Sequence, residues 1–179
     1  DAESSRHALL FDVRRSVRYH TRRRMFFDRW NLATNALSVI FGSATIYGVL
    51  SAGGKELALA AAAMVTIMSS LNLVIGTTRM ARLHEELARR FFELEKAIVS
   101  AVELSVEKMA TFTAQRLDIE ACEPPILRVL DSICHNEMMR ALGYPPSHPE
   151  YVKIRWWQRL FAQFFDLAEH SITSRGQSA

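Results

Sequence analysis

Residues 30–78 read WNLATNALSVIFGSATIYGVLSAGGKELALAAAAMVTIMSSLNLVIGTT, and the spacing of charge along them decides the fold. No charged side chain lies between Arg29 and Lys55, and none between Glu56 and Arg79. Each interval exceeds the ~20 residues that one helix needs to cross the ~30 Å hydrocarbon core of a bilayer. The intervals meet at Gly53-Gly54-Lys55-Glu56, where two glycines followed by two charges read as a turn. The stretch reads as a transmembrane helical hairpin with spans at about 30–52 and 57–78. A soluble bundle with two core helices is the rival reading. It struggles with two adjacent charge-free runs of spanning length and so short a turn.

Averages over the 179 residues conceal this. The hydrophobic fraction of 49% and net charge of +3 look ordinary, as does a mean hydropathy of +0.01. The apolar residues sit in one block, and most of the excess positive charge precedes Trp30. The N-terminal region is too charged for a secretory signal peptide, so the first span is expected to act as its own insertion signal.

From Ala8, Leu9, Leu10, Val13 and Val17 recur at helical spacing. A cationic run of Arg18, His20, Arg22, Arg23, Arg24 and Arg29 follows, and no Pro or Gly interrupts Ala8 to Phe41. One helix can therefore run from solvent into the membrane, with Phe26, Phe27 and Trp30 at the headgroup level. Arginines beside a span fix topology and bind anionic headgroups or another anionic ligand. A nucleic-acid site would need aromatic and polar residues presented with the charges, and here the aromatics fall at the membrane boundary.

On the first span, Asn31, Asn35, Ser38, Gly42, Thr45 and Val49 fall at alternating steps of four and three and form one stripe. On the second, Thr66, Ser69, Ser70 and Thr77 make another polar edge. Two readings stand for these stripes. Small and polar residues let helices approach and bond across the contact, or they line a wetted pore. No Asp, Glu, Lys, Arg or His lies inside either span, which argues against a proton pump or ion-coupled transporter. Arginine and lysine crowd both flanks of the hairpin and leave only Lys55 in its turn. The positive-inside rule then places both termini in the cytoplasm.

Beyond Arg79, Leu87, Phe91, Leu94 and Ile98 follow a seven-residue repeat, and Glu86 and Arg90 stand at i, i+4. A long helix is expected to continue the second span to about Gln115 or Leu117. Its seam needs a cover, from the N-terminal helix packing back or from neighbouring subunits; the seam is taken as an oligomer interface. Cys122-Glu123-Pro124-Pro125 breaks the helix, and a shorter one over 126–142 ends at Gly143. Cys122, Cys134, His135, Glu137 and His148 fit no standard zinc spacing, and in a cytosolic part the two cysteines should be reduced. No metal, cofactor or catalytic constellation is expected. After Tyr144-Pro145-Pro146, an aromatic helix carrying Trp156, Trp157, Leu160, Phe161, Phe164, Phe165 and Leu167 either lies on the inner membrane face or docks on the bundle. The stiff turn favours docking. The tail 173–179 is polar.

The organisation read this way is all-α. A basic amphipathic helix spans 1–29, the hairpin 30–78, a long cytoplasmic helix 79–121, and C-terminal helices and tail 122–179. The segment Arg18-Tyr19-His20-Thr21-Arg22-Arg23-Arg24-Met25-Phe26-Phe27-Asp28-Arg29, the Gly turn and the helix opening His84-Glu85-Glu86-Leu87-Ala88-Arg89-Arg90-Phe91 together resemble the SLATT family of bacterial two-transmembrane effector domains. The resemblance implies a homo-oligomeric channel or pore in the bacterial inner membrane, acting in conflict systems to depolarise an infected cell. It supplies no catalytic residues. Family members often stand beside nucleotide second-messenger synthases or sensors. No appended sensor domain is visible here, so a second messenger or a separate sensor protein is expected as the trigger. The alternative, from another class, is a non-conducting membrane scaffold that recruits a soluble partner.

Overall fold

The computed structural model describes residues 2–51, 53–101 and 105–166. Among them the chain is all-α, with helices α1 (Ala2–Leu50), α2 (Lys55–Ile75), α3 (Thr77–Ser100), α4 (Val106–Glu120), α5 (Arg128–Ala141) and α6 (Trp156–Phe161). Residues Arg24–Leu83 form one compact unit; the residues before and after them form the other.

The first unit is a hairpin of two long apolar helices. α1 ends at Leu50 and α2 begins at Lys55, and Gly53 turns the chain with φ +89°. At the other end of α2 the sequence reading needs correcting, because the second span does not run unbroken into the next helix. Gly76 stands in the left-handed region, φ 62° and ψ 45°, where a side chain would strain the backbone, and α3 starts afresh at Thr77. The backbone ladder survives the break, with Gly76 N–H donating to Asn72 O and Met80 N–H to Gly76 O. The junction is therefore a kink.

The second unit is a helical bundle. Here α1 buries Leu9, Val13 and His20 at the spacing of one helical face, with Leu10 and Tyr19 buried to either side of it. The cover is α3, running antiparallel. Arg6 donates to Ile98 O and Val99 O, Arg14 bonds Glu95 at 2.7 Å, and the His20 ring stacks on Phe91 at 5.6 Å. The Arg6 contact places a cation on the last carbonyls of α3, which need partners and carry the negative end of the helix dipole.

The expected single helix over 79–121 is two helices. α3 stops at Ser100, and α4 restarts after Ser105, whose hydroxyl accepts from Lys108 N–H as a helix N-cap. Glu86 pairs with Arg89 at 2.7 Å, three residues on, rather than with Arg90. Helix α5 ends at the expected place, where Tyr144 N–H reaches Met139 O and Gly143 N–H reaches Arg140 O, the two bonds of a Schellman closure.

A small core of Tyr19, Val129, Leu130, Cys134 and Ala162 ties α1, α5 and the C-terminal segment together. Burial pushes the Cys134 thiol up to about 12. Two polar clamps fix the segment. The Asn136 side chain donates to Val152 O and accepts from Val152 N–H, at 2.8 and 2.9 Å. The Asp166 carboxylate accepts from Arg128 N–H and Val129 N–H, at 2.8 and 3.0 Å, and so caps α5 from 37 residues away. The C-terminal segment thus docks on the bundle, although its helix is only Trp156–Phe161. Leu167 and the tail 173–179 lie outside the described residues.

Candidate functional site

The hairpin's surface is its most telling property. Leu32, Val39, Ile40, Ile46, Val49 and Leu50 on α1 are exposed, as are Leu59, Ile67, Leu73 and Val74 on α2. Both helices are long and apolar enough to cross a membrane, and only 11% of the most apolar window of each is buried. A core helix of a soluble domain would hide that surface, because burying a large aliphatic side chain is worth ~1.5–3 kcal/mol.

The polar residues picked from the sequence divide into two sets. Asn31, Ser38, Gly42 and Thr45 are half-buried, and Thr34 and Gly48, which the sequence reading did not single out, are buried beside them. At helical spacing these positions share one side of α1, the side that meets α2. Asn72 Nδ2 donates to Asn31 Oδ1 at 3.4 Å, and Thr77 Oγ1 bonds Asn72 Oδ1. At the tip, a Cβ placed on Gly48 would sit 2.7 Å from Gly54 O and 2.9 Å from Ala58 N. Bare backbone at Gly48 is what lets the helices touch. The second set, Asn35, Thr66, Ser69 and Ser70, is exposed. The Thr66 hydroxyl bonds back to Ala62 O at 2.9 Å, the usual way a helix satisfies a hydroxyl in an apolar surrounding.

Two further assignments change. Arg22 and Arg23 are half-buried and do not present themselves as headgroup ligands. Arg18 Nε donates to Met138 Sδ, Arg22 pairs with Glu137, and Arg23 Nη1 donates to Gln163 O at 2.6 Å. Burial also lowers the Arg23 pKa. These arginines stitch α1 to α5 and the C-terminal segment. Arg18, Arg24 and Arg29 do stay exposed, and Arg24 lies 3.5 Å from Asp28. The seam Leu87, Phe91, Leu94 and Ile98 is not a subunit interface. Phe91 and Ile98 are 0% exposed within the single chain, because the N-terminal helix packs back on them.

Sequence reasoning missed a buried polar cluster. His20 Nδ1 lies 2.9 Å from His84 Nδ1, and His20 Nε2 lies 3.0 Å from Glu123 Oε1. Both rings are 1% exposed. The heptad framework held the signal, since His84 stands one step of three before Leu87 on the same seam. Among the described residues no three His, Cys, Asp or Glu side chains converge as metal ligands. A cleft of about 1010 Å³ opens beside Phe11, Met139, Tyr144 and His148; its cations Arg6 and Arg14 already bond α3.

No family model, no curated protein and no solved structure matches this chain.

Proposed function

We propose that the chain is a multi-pass protein of the bacterial inner membrane, with both termini cytoplasmic. It assembles as a homo-oligomeric channel or pore that permeabilises or depolarises that membrane. In keeping with the SLATT resemblance, its setting is antiphage defence by abortive infection. The observation that carries this reading is the exposed apolar hairpin with the Asn35 carboxamide open among aliphatic side chains. An amide facing lipid tails has no water to bond, so it favours contact with another subunit or with a wetted lumen. Thr66, Ser69 and Ser70 offer hydroxyls to the same ends. Ion flow down existing gradients needs no chemical step and no cofactor. The trigger, a nucleotide second messenger or a sensor protein, would act on the cytoplasmic bundle, and nucleic acid is not a partner.

Dye-reported ion flux from liposomes holding the purified chain, with the oligomer mass measured in detergent, tests this. Flux from a defined oligomer is the expected result. A monomer that passes no ions under any candidate nucleotide would leave the second reading, a non-conducting scaffold that recruits a soluble partner. That reading is favoured by the half-burial of Asn31, Ser38, Gly42 and Thr45, which spends much of the first stripe on packing inside the hairpin.

A further inference from the structure

From Tyr151 to Phe165 there is no acidic side chain, while Lys153, Arg155 and Arg159 are all exposed. The segment is two-sided. One side docks, with Gln158 and Ala162 buried and Asp166 bonded to the first amides of α5. The other side is open. Trp156 is 77% exposed, Leu160 63% and Phe165 60%, and Phe161 and Phe164 are exposed beside them. A soluble surface rarely leaves so many large apolar groups together.

We propose that this strip seats on an anionic phospholipid leaflet, its aromatic rings at the headgroup level and its cations on lipid phosphates. Three features favour lipid over a protein partner. Tryptophan and phenylalanine beside lysine and arginine are the composition of helices that lie in the interface. The run from Tyr151 to Phe165 carries three cations and no acid of its own, a charge that matches a negative leaflet. The chain also passes twice, at Arg23–Arg24 and Leu83–His84, into the apolar hairpin. If that hairpin spans the bilayer, as proposed above and on which this inference rests, a leaflet is a tethered neighbour at high effective concentration.

The chain has three tryptophans, which makes the test direct. The full chain is placed in nanodiscs of phosphatidylcholine with or without phosphatidylglycerol. The W30F/W157F variant leaves Trp156 as reporter, and W156F/W157F leaves Trp30. Quenching is read from brominated lipid and, separately, from aqueous acrylamide. In phosphatidylglycerol discs, Trp156 is expected to be quenched by brominated lipid and to become several-fold less sensitive to acrylamide than in phosphatidylcholine discs. Adding K153E, R155E and R159E should return Trp156 to water while Trp30 stays quenched in its own variant. Trp156 open to acrylamide in both discs overturns the inference. So does Trp156 shielded from both quenchers, which would mean that protein covers it, and so does equal burial in both discs. Trp30 separates the two readings. With Trp30 quenched by lipid and Trp156 not, the hairpin stands and the strip falls; the reverse keeps the strip and removes the hairpin; neither quenched removes both.

Discussion

His20 and His84 face each other Nδ1 to Nδ1 at 2.9 Å inside the bundle, and the bond joins α1 to α3. Two such nitrogens bond only when one carries the proton and the other does not. Glu123 accepts from His20 Nε2–H, and a single proton lies between the two Nδ1 atoms. Tyr19 and Phe91 wall the pair with their rings, and Arg23 adds a positive charge nearby. Burial first, then His20 and Arg23, pull the His84 pKa down from 6.5 to about 3.

The sign of the resulting pH dependence follows. An unfolded chain protonates this imidazole below its ordinary value of 6.5, while the folded chain refuses the proton until about pH 3. The stabilisation is complete above 6.5 and is lost as pH falls through that window, with a slope approaching ~1.4 kcal/mol per pH unit. Urea midpoints of the detergent-solubilised chain and of His84→Phe, taken at about pH 7 and about pH 5, should show the wild type losing more stability than the variant. Equal losses would remove His84 as the cause.

Gly48 and Gly42 make a paired test of the hairpin contact. A methyl at Gly48 meets backbone, while one at Gly42 meets nothing within 4 Å. Gly48→Ala should cost ~1–3 kcal/mol, since neither the Gly54 carbonyl nor the Ala58 amide can swing aside. Gly42→Ala should be neutral or mildly stabilising through helix propensity. Thermal melts in the same detergent would decide, and equal melts for the two variants would mean that the helices do not touch at Gly48.

Asp166 is predicted to act as the cap of α5. Asp166→Ala should cost ~1 kcal/mol and should expose two amides in particular, those of Arg128 and Val129. Hydrogen exchange resolved to single residues would show their protection falling while that of Cys134, further along α5, changes little. Uniform loss along the helix would point to general destabilisation.

Legibility in the sequence tracked how local each signal was. The hairpin was readable because charge is absent over whole spans, and Gly143 because a helix stop is written in neighbouring residues. The break after Ser100 was not readable from period alone, since the apolar repeat hid a serine able to cap a new helix at Ser105. Asp166 and Gly48 act on partners supplied by the fold, across a long loop and across the hairpin. The arginine run looked like a lipid ligand because the sequence shows proximity to a span but not Glu137 and the Gln163 carbonyl, which return from later in the chain to bond Arg22 and Arg23.

The two thiols should behave as opposites. Cys122 is exposed, whereas Cys134 is buried with its pKa pushed up to about 12, and only a thiolate reacts. A maleimide pulse near neutral pH should label Cys122 alone, and Cys134 should react only once urea opens the bundle. Mass spectrometry reads both sites in one sample, so Cys134 labelling also reports bundle unfolding for the histidine test. Fast labelling of Cys134 in the native chain would contradict the packed core of Tyr19, Val129 and Leu130.

Asn35 separates the two functional readings. Its carboxamide is exposed on α1, whereas Ser38 is half-buried in the hairpin. If subunits meet or ions pass along the Asn35 side, Asn35→Leu removes a polar contact that costs nothing to lose in lipid. Flux should then fall tenfold or more, a change of ~1.4 kcal/mol in the open or assembled population. Insertion would persist, because leucine only adds apolar surface. Ser38→Ala, with its small volume change inside the hairpin, should leave flux near wild type. Flux unaltered by Asn35→Leu in an otherwise conducting protein would move the conduction path to Thr66, Ser69 and Ser70 on α2, and the same liposome measurement on their leucine variants would show it.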